Sequence, residues 1–381
     1  MNAPIVIIGS GFAAYQLVKS LRKQAPDAPI TVITAGNGDS YNKPDISHVF
    51  TKSQNAADLV KQTGAAFAEE NQVTLIPQTP VDGINPVEKT VTFGKSILPF
   101  SKLVIAKGAS AFVPPMEGDA TQSVLTLNSI EEYEAAQDRL SDAKRVLVMG
   151  GGLIGTEIAM DLASSGRSVT LADPADSLLS NLLPDVISAS LYKTMAKQNI
   201  HLTLNDCAVT MNRMPEGIEV TLKSGMTLVV DEVISAVGLR PRTQLAKDAG
   251  LAVNRGIIVD RQMQTSAPDV YALGDCAEIE GKVLSYLQPI LLSANALAKT
   301  LAGQPTKVSF PPMLVRVKTP LLPIQLSGNT TGDSLRWEIH ADRDGLIAKA
   351  YNVLNKMVGF VVTQNHMKDA FPLLRELPPV L

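Results

Sequence analysis

The sequence predicts an α/β fold of two repeated strand–turn–helix–strand units, followed by a small α+β domain at the C-terminal end. Three observations predict it. A short β-branched run, a glycine-rich turn and a helical stretch follow one another near the N-terminus. The same succession returns from about residue 144. After about residue 310 the pattern gives way to proline-rich, strand-like pieces. A chain of 381 residues, 45% hydrophobic, exceeds one ordinary core and can bury several.

The first unit opens with Ile5 to Ile8, whose continuous apolar character suits a buried parallel strand. Gly9, Gly11 and Ala14 follow in G-x-G-x-x-A spacing. Tyr15 to Lys23 has helical character, and Pro29 to Ala35 reads as the next strand. The first glycine permits a tight turn, the second lets backbone approach a pyrophosphate, and the small third residue lets helix and strand pack closely. The second unit repeats this with strand Arg145 to Met149, Gly150, Gly152 and Gly155, a helix to about Ser164, and strand Ser168 to Ala172 ending at Asp173. Two such fingerprints in one chain predict two Rossmann-like dinucleotide-binding domains.

Asp173 stands close to the roughly 20-residue spacing expected of the acid that hydrogen-bonds a ribose 2′-hydroxyl. A carboxylate there repels a 2′-phosphate, and Pro174-Ala175-Asp176 offers no arginine to receive one, so the second unit is expected to take NADH over NADPH. The first unit lacks that acid. Its second strand ends Thr34-Ala35-Gly36-Asn37-Gly38, and Asp39 comes too late to substitute. Backbone and Thr34 are the expected ribose partners there.

Composition narrows the rest. A net charge of -3 gives no electrostatic case for nucleic acid. No long uncharged apolar run suggests a membrane span, and Met1-Asn2-Ala3-Pro4 lacks the basic start of a signal peptide. A cytoplasmic protein is expected. Two cysteines make no disulfide scaffold, and His48, His201, His340 and His366 have no metal-ligand spacing, so no metal is expected.

Three further stretches carry a resemblance. "LVIAKGA" (103–109) looks like an L-V-I-A-T-G-A turn, with Lys107 in place of Thr. "DEVISAVGLRPRT" (231–243) is similar to D-x-V-x-x-A-x-G-x-R-P-N-T. "TSAPDVYALGDCAE" (265–278) resembles T-S-x-x-x-I-Y-A-x-G-D. Together with the fingerprints they resemble the two-dinucleotide flavoprotein reductases, the superfamily of glutathione reductase and the ferredoxin reductases of oxygenase systems. The resemblance implies FAD in the first unit and NADH in the second. It gives Asp275 the ribityl chain of FAD, delivered by a strand (Val270 to Leu273) that ends at Gly274. It points the helix of residues 287–303 at the flavin, with the N–H of Leu287 or a neighbour at its edge.

"SYNKPDIS" (40–47), "NRGIIVDRQMQTS" (254–266) and "VKTP" (317–320) look more narrowly like the rubredoxin–NAD reductases. That resemblance implies FAD contacts at Gly9, Ser10, Gly11, Phe12, Thr34, Ala35, Lys43, Val81, Glu157, Asp275, Leu287 and Lys318. Lys43 and Lys318 would flank the isoalloxazine. Glu157, read as lying in the first turn of its helix, would sit where nicotinamide meets flavin. It implies electron flow from NADH through FAD to rubredoxin, a small acidic iron protein, feeding an alkane hydroxylase. A ferredoxin reductase of an oxygenase system and an NADH-binding redox sensor are the alternatives. The implied division is 1–112 and 241–310 for FAD, 113–240 for NADH, and 311–381 for the C-terminal domain.

The disulfide reductases of this superfamily carry C-x-x-x-x-C beside the flavin, and this chain does not. Cys276 adjoins the ribityl position and Cys207 follows a strand in the second unit, so neither has a resolving partner. A thiol relay is not expected, and electrons must pass directly from flavin to a one-electron carrier. In the C-terminal segment, "LRWEIH", "LIAKAYNV" and "KMVGFVVTQN" read as strands and "MKDAFPLLREL" as a short helix, packing over the flavin, with Trp337 in the core.

Overall fold

The computed structural model describes residues 3–381. Each repeated unit is a parallel sheet whose central strand is an apolar run. In the first, the strand order is Val270–Ala272, Lys102–Ile105, Ile5–Ile8, Ile30–Ile33 and Thr74–Ile76. In the second it is Ile200–Leu204, Ser168–Asp173, Arg145–Met149 and Glu232–Ser235. The central strands are buried on both faces, which explains why they contain no alternating polar residues. Each unit also carries a three-stranded antiparallel meander, at residues 83–99 and 208–230.

Four helices position the site: α1 (Phe12–Gln24), α2 (Ile130–Asp142), α3 (Leu153–Ser164) and α4 (Leu287–Leu301). Helix α1 begins three residues earlier than the sequence suggests, because Gly11 is its N-cap. Helix α4 ends at Leu301, two residues short of Gly303. The chain passes between units through two antiparallel strands, Ala109–Ala111 and Leu239–Pro241.

The C-terminal domain is a five-stranded antiparallel sheet in the order Val315–Val317, Ile324–Gly328, Met357–Thr363, Gly345–Tyr351 and Arg336–Asp342. Its apolar face joins one core with α2, α3 and Ile46, Val49 and Phe50 of the first unit. The expected terminal helix resolves into a 3₁₀ segment, Gln364–Asp369, and a short helix, Ala370–Leu374, with Pro372 inside it. Trp337 is half-buried at the edge of the shared core rather than inside it. No helix of the described residues is long and apolar enough to cross a membrane.

Candidate functional site

The two glycine turns are built alike. Gly9 has φ +114°, and a Cβ on it would lie 2.4 Å from the Ala106 carbonyl oxygen. Gly150 has φ +107°, with the Ala236 carbonyl oxygen 2.6 Å from the same point. Each turn is thus closed from the neighbouring strand and admits no side chain. A Cβ on Gly11 or Gly152 would meet no protein atom within 4 Å, so the space above each turn is open to a ligand. Helices α1 and α3 start there without a side-chain cap or an acid in the first turn. Their free N–H groups suit a pyrophosphate at both turns, and the residues present fit two dinucleotides. The third positions differ. Ala14 fits, fully buried, whereas a Cβ on Gly155 would come within 1.9 Å of the Gly150 carbonyl oxygen.

The partners of the second strands are equivalent too. Asp173 accepts from the Gly151 N–H at 2.5 Å and the Ala175 N–H at 2.7 Å, which fixes its carboxylate at the mouth of the second turn. Its counterpart in the first unit is Thr34, whose hydroxyl lies 2.8 Å from that of Ser10. Thr34 is buried and Ala35 exposed, while Phe12 and Val81 are half-buried along the same side of the sheet. Asp39 instead holds its own loop, accepting from the Gly64 N–H at 2.8 Å and from Asn37.

Between the units, a 3₁₀ segment, Lys43–His48, packs against α3. Lys43 Nζ lies 3.9 Å from Asp275 Oδ2. Burial lowers the Lys43 pKa and raises that of Asp275, each opposed by the other's charge. Glu157 is 3% exposed and sits five residues into α3, beyond the first turn expected for it. Its carboxylate therefore does not cap the helix. It accepts from the Ser47 hydroxyl at 2.8 Å and from the Lys318 backbone N–H at 2.9 Å. Lys318 Nζ in turn donates to the Pro44 carbonyl at 3.2 Å. One carboxylate thereby ties together the first unit, the second unit and the C-terminal domain.

Asp275 lies just past Gly274 (φ +81°), which packs so closely on α1 that a Cβ would stand 2.7 Å from Ala13 Cβ. Leu287 opens α4, 41% exposed, and its N-cap residue Tyr286 gives no side-chain cap, so the first N–H groups are free. Cys276 is fully buried. Burial pushes its thiol up to about 11, and its sulfur lies 3.4 Å from the Ile105 and Leu273 carbonyls. Both cysteines are free.

Lys43 thus meets Asp275, Lys318 meets Glu157 and Pro44, and α4, which Leu287 opens, packs on the Gly274–Cys276 turn. Sequence reasoning missed Asp161, the next acid along the same face of α3. It is buried and accepts from the Phe50 N–H at 2.7 Å and the Thr51 hydroxyl at 2.5 Å. The spacing of Glu157 and Asp161, one helical turn apart, was the available signal. Ser47 and His48 were missed as well. His48 Nε2 lies 3.5 Å from Glu157 Oε2.

Comparison with known proteins agrees with this architecture. Residues 3–298 match the family described as pyridine nucleotide-disulphide oxidoreductase, and residues 307–377 match a rubredoxin binding C-terminal domain. The chain is 52% identical over 377 residues to the "Nitric oxide reductase FlRd-NAD(+) reductase" of Aliivibrio fischeri, covering 99% of each chain. It is 48% identical over 378 residues to the protein of that name from Escherichia coli K12, covering 99% of this chain and all of the relative. Among solved structures, putidaredoxin reductase in covalent complex with putidaredoxin superposes with a TM-score of 0.89 at 22% identity, over 99% of this chain and 94% of that one. The NADH:rubredoxin oxidoreductase of Clostridium acetobutylicum gives 0.81 at 21% identity, over 99% and 95%. These two likenesses concern the fold. The family's enzymes depend on FAD and NAD(H), and the two glycine turns suit both. The chain belongs to the pyridine nucleotide-disulphide oxidoreductase family and carries a rubredoxin-binding domain at its C-terminal end.

Proposed function

We propose that this chain is an NADH-dependent FAD flavoprotein that reduces a rubredoxin-type iron carrier serving a nitric oxide reductase. The carrying observation is the Lys318 N–H bond to Glu157, which joins the rubredoxin-binding domain to α3 beside the flavin position. The names of the relatives favour nitric oxide reduction as the destination and give no support to the alkane hydroxylase that the sequence resemblance implied. A cytoplasmic setting fits the two free cysteines and the use of NADH.

In this reading the FAD pyrophosphate lies over Gly9, Ser10, Gly11 and Phe12, with Ala14 allowing α1 its close approach. Thr34 and Ala35 face the adenosine ribose, and Val81 the adenine. Asp275 takes the ribityl hydroxyls. Lys43 and Lys318 flank the ring system, where cations favour its reduced anionic form, and the N–H groups at Leu287 add to that field. NADH lies over Gly150, Gly152 and Gly155, with Asp173 on its ribose, and Glu157 stands at the junction of the two ligands. The FAD domain would comprise 1–112 and 241–310, the NADH domain 113–240, and the carrier-facing domain 311–381.

Bound FAD supplies a two-electron acceptor for hydride and a one-electron donor for iron. The chain's own part is position and electrostatics. With one thiol buried and no second beside it, no cysteine relay is available. Electron-transfer docking of this kind needs only a small interface, below about 1,200 Å².

The test is NADH-driven cytochrome c reduction with added carriers. A rubredoxin domain from a nitric oxide reductase should stimulate it strongly, and a 2Fe–2S ferredoxin should not. Stimulation by the ferredoxin alone would favour an oxygenase-type reductase. Slow flavin bleaching by NADH would favour a redox sensor.

A further inference from the structure

The reaction leaves a proton to be moved. NADH gives up a hydride, which is two electrons and one proton's worth of hydrogen, whereas an iron carrier accepts one electron at a time and no proton. The balance is NADH + 2 carrier(Fe³⁺) → NAD⁺ + H⁺ + 2 carrier(Fe²⁺). With FAD bound, one proton per NADH would start at the flavin and pass to solvent by a region bordered by α3, the Lys43–His48 segment and the C-terminal domain.

Glu157 is a buried carboxylate in that region. Two of its hydrogen bonds come from Ser47 and Lys318. His48 approaches the same oxygen that Ser47 holds, with Nε2 3.5 Å from Oε2. That nitrogen is inaccessible to solvent and has no hydrogen-bond partner among the described residues, although the side chain as a whole is 18% exposed. A buried imidazole nitrogen without a partner carries a desolvation cost. Here it is aimed at a buried carboxylate, at a distance that a small ring rotation converts into a hydrogen bond. Charged groups on its own segment and on the elements packed against it include Lys43 and Asp45, Asp161 on α3, Glu132 on α2 and Lys318 from the C-terminal domain. Asp161 is saturated by Phe50 and Thr51. Lys43 faces Asp275. Neither competes with Glu157 for His48.

We propose that His48 and Glu157 form the exit path for this proton: Glu157 accepts it at Oε2, and His48 Nε2 receives it, the imidazole releasing a proton towards solvent on the exposed side of the side chain. An imidazole can take a proton on one ring nitrogen and give one up from the other, which suits such a step. The inference rests on the FAD reading above. His48 is a positioning and relay group in it and does not touch the substrate.

The test separates the two half-reactions of the FAD-loaded protein. His48→Gln keeps a polar group near Glu157 and cannot carry a proton. In stopped flow, bleaching of the flavin band by NADH should proceed at the wild-type rate, because hydride transfer does not use His48. Reoxidation by ferricyanide, a one-electron acceptor that needs no docking surface, should slow by about 10²-fold, and added imidazole should restore part of it. The wild-type protein should show a solvent deuterium effect on reoxidation and none on reduction. Reoxidation at the wild-type rate in the variant, or a wild-type reoxidation insensitive to deuterium, would overturn the relay. Failure of the FAD reading looks different: the purified protein would hold no flavin, or NADH would not bleach it. If His48→Gln does not fold, the wild-type deuterium comparison decides alone.

Discussion

Glu157 of the second unit accepts a hydrogen bond from the hydroxyl of Ser47 in the first, at 2.8 Å, with both residues buried. Replacing Glu157 with Ala leaves that hydroxyl only the Pro44 carbonyl, at 3.1 Å, and takes the acceptor from the Lys318 N–H. A loss of about 1–3 kcal/mol is expected, read as a lower midpoint in denaturant. Glu157→Gln, which keeps an acceptor oxygen, should lose less. NADH-driven flavin bleaching should slow in both variants.

Asp161 acts one turn further along and binds no ligand in this account. Asp161→Ala frees the Phe50 N–H and the Thr51 hydroxyl, and should likewise destabilise by about 1–3 kcal/mol. NADH affinity should change little, since Asp161 faces the Lys43–Thr51 stretch rather than the glycine turn. Equal stability to wild type would contradict a stabilising role for these two bonds.

Asp173 determines nucleotide choice. Its carboxylate is held by the Gly151 and Ala175 N–H groups, in place to meet a ribose hydroxyl and repel a 2′-phosphate. The wild-type kcat/KM should be at least about tenfold higher for NADH, an energy difference near 1.4 kcal/mol. Asp173→Ala should narrow that ratio, chiefly by weakening NADH. A wild-type preference for NADPH would contradict the assignment.

The C-terminal domain should respond to pH through His366. Its Nδ1 lies 3.0 Å from Asp369 and its Nε2 3.0 Å from Asp342, and these carboxylates raise its pKa above the usual 6.5. A raised histidine stabilises fully below pH 6.5 and stops doing so as pH rises through the folded-state value. Asp342 is held at about 2, by His366 first and then by the Asp344 N–H and His340. Its contribution is present above its ordinary 3.8 and is lost as pH falls through about 2. The pair is thus strongest between pH 3.8 and 6.5. The melting temperature of His366→Gln should lie furthest below wild type in that window and converge with it in alkali. Parallel profiles at all pH values would contradict this.

The two units were legible because a glycine fingerprint is a backbone requirement. Gly9 and Gly150 cannot be other residues without meeting a carbonyl oxygen, so short stretches of sequence reveal the geometry. Lys43, Glu157 and Lys318 are found by resemblance, and what is not legible is the partner each one meets. Glu157 reaches Ser47 across 110 positions and Lys318 across 161. No local spacing encodes such contacts. The shared core between the C-terminal sheet and α3 was hidden for the same reason, and with it Trp337's position at the rim. Asp161 and His48 look like ordinary helix and loop residues until folding brings them against each other's elements.

In the proposed mechanism, electrons leave straight from the flavin. The most direct test is a Cys207→Ser/Cys276→Ser double variant, loaded with FAD and assayed for NADH oxidation with a rubredoxin acceptor. Cys276 is fully buried with its thiol pushed up to about 11, so its removal deprives no step of a thiolate. Turnover within a few-fold of wild type is expected. Loss of turnover in a variant that still holds FAD and is still bleached by NADH would contradict it.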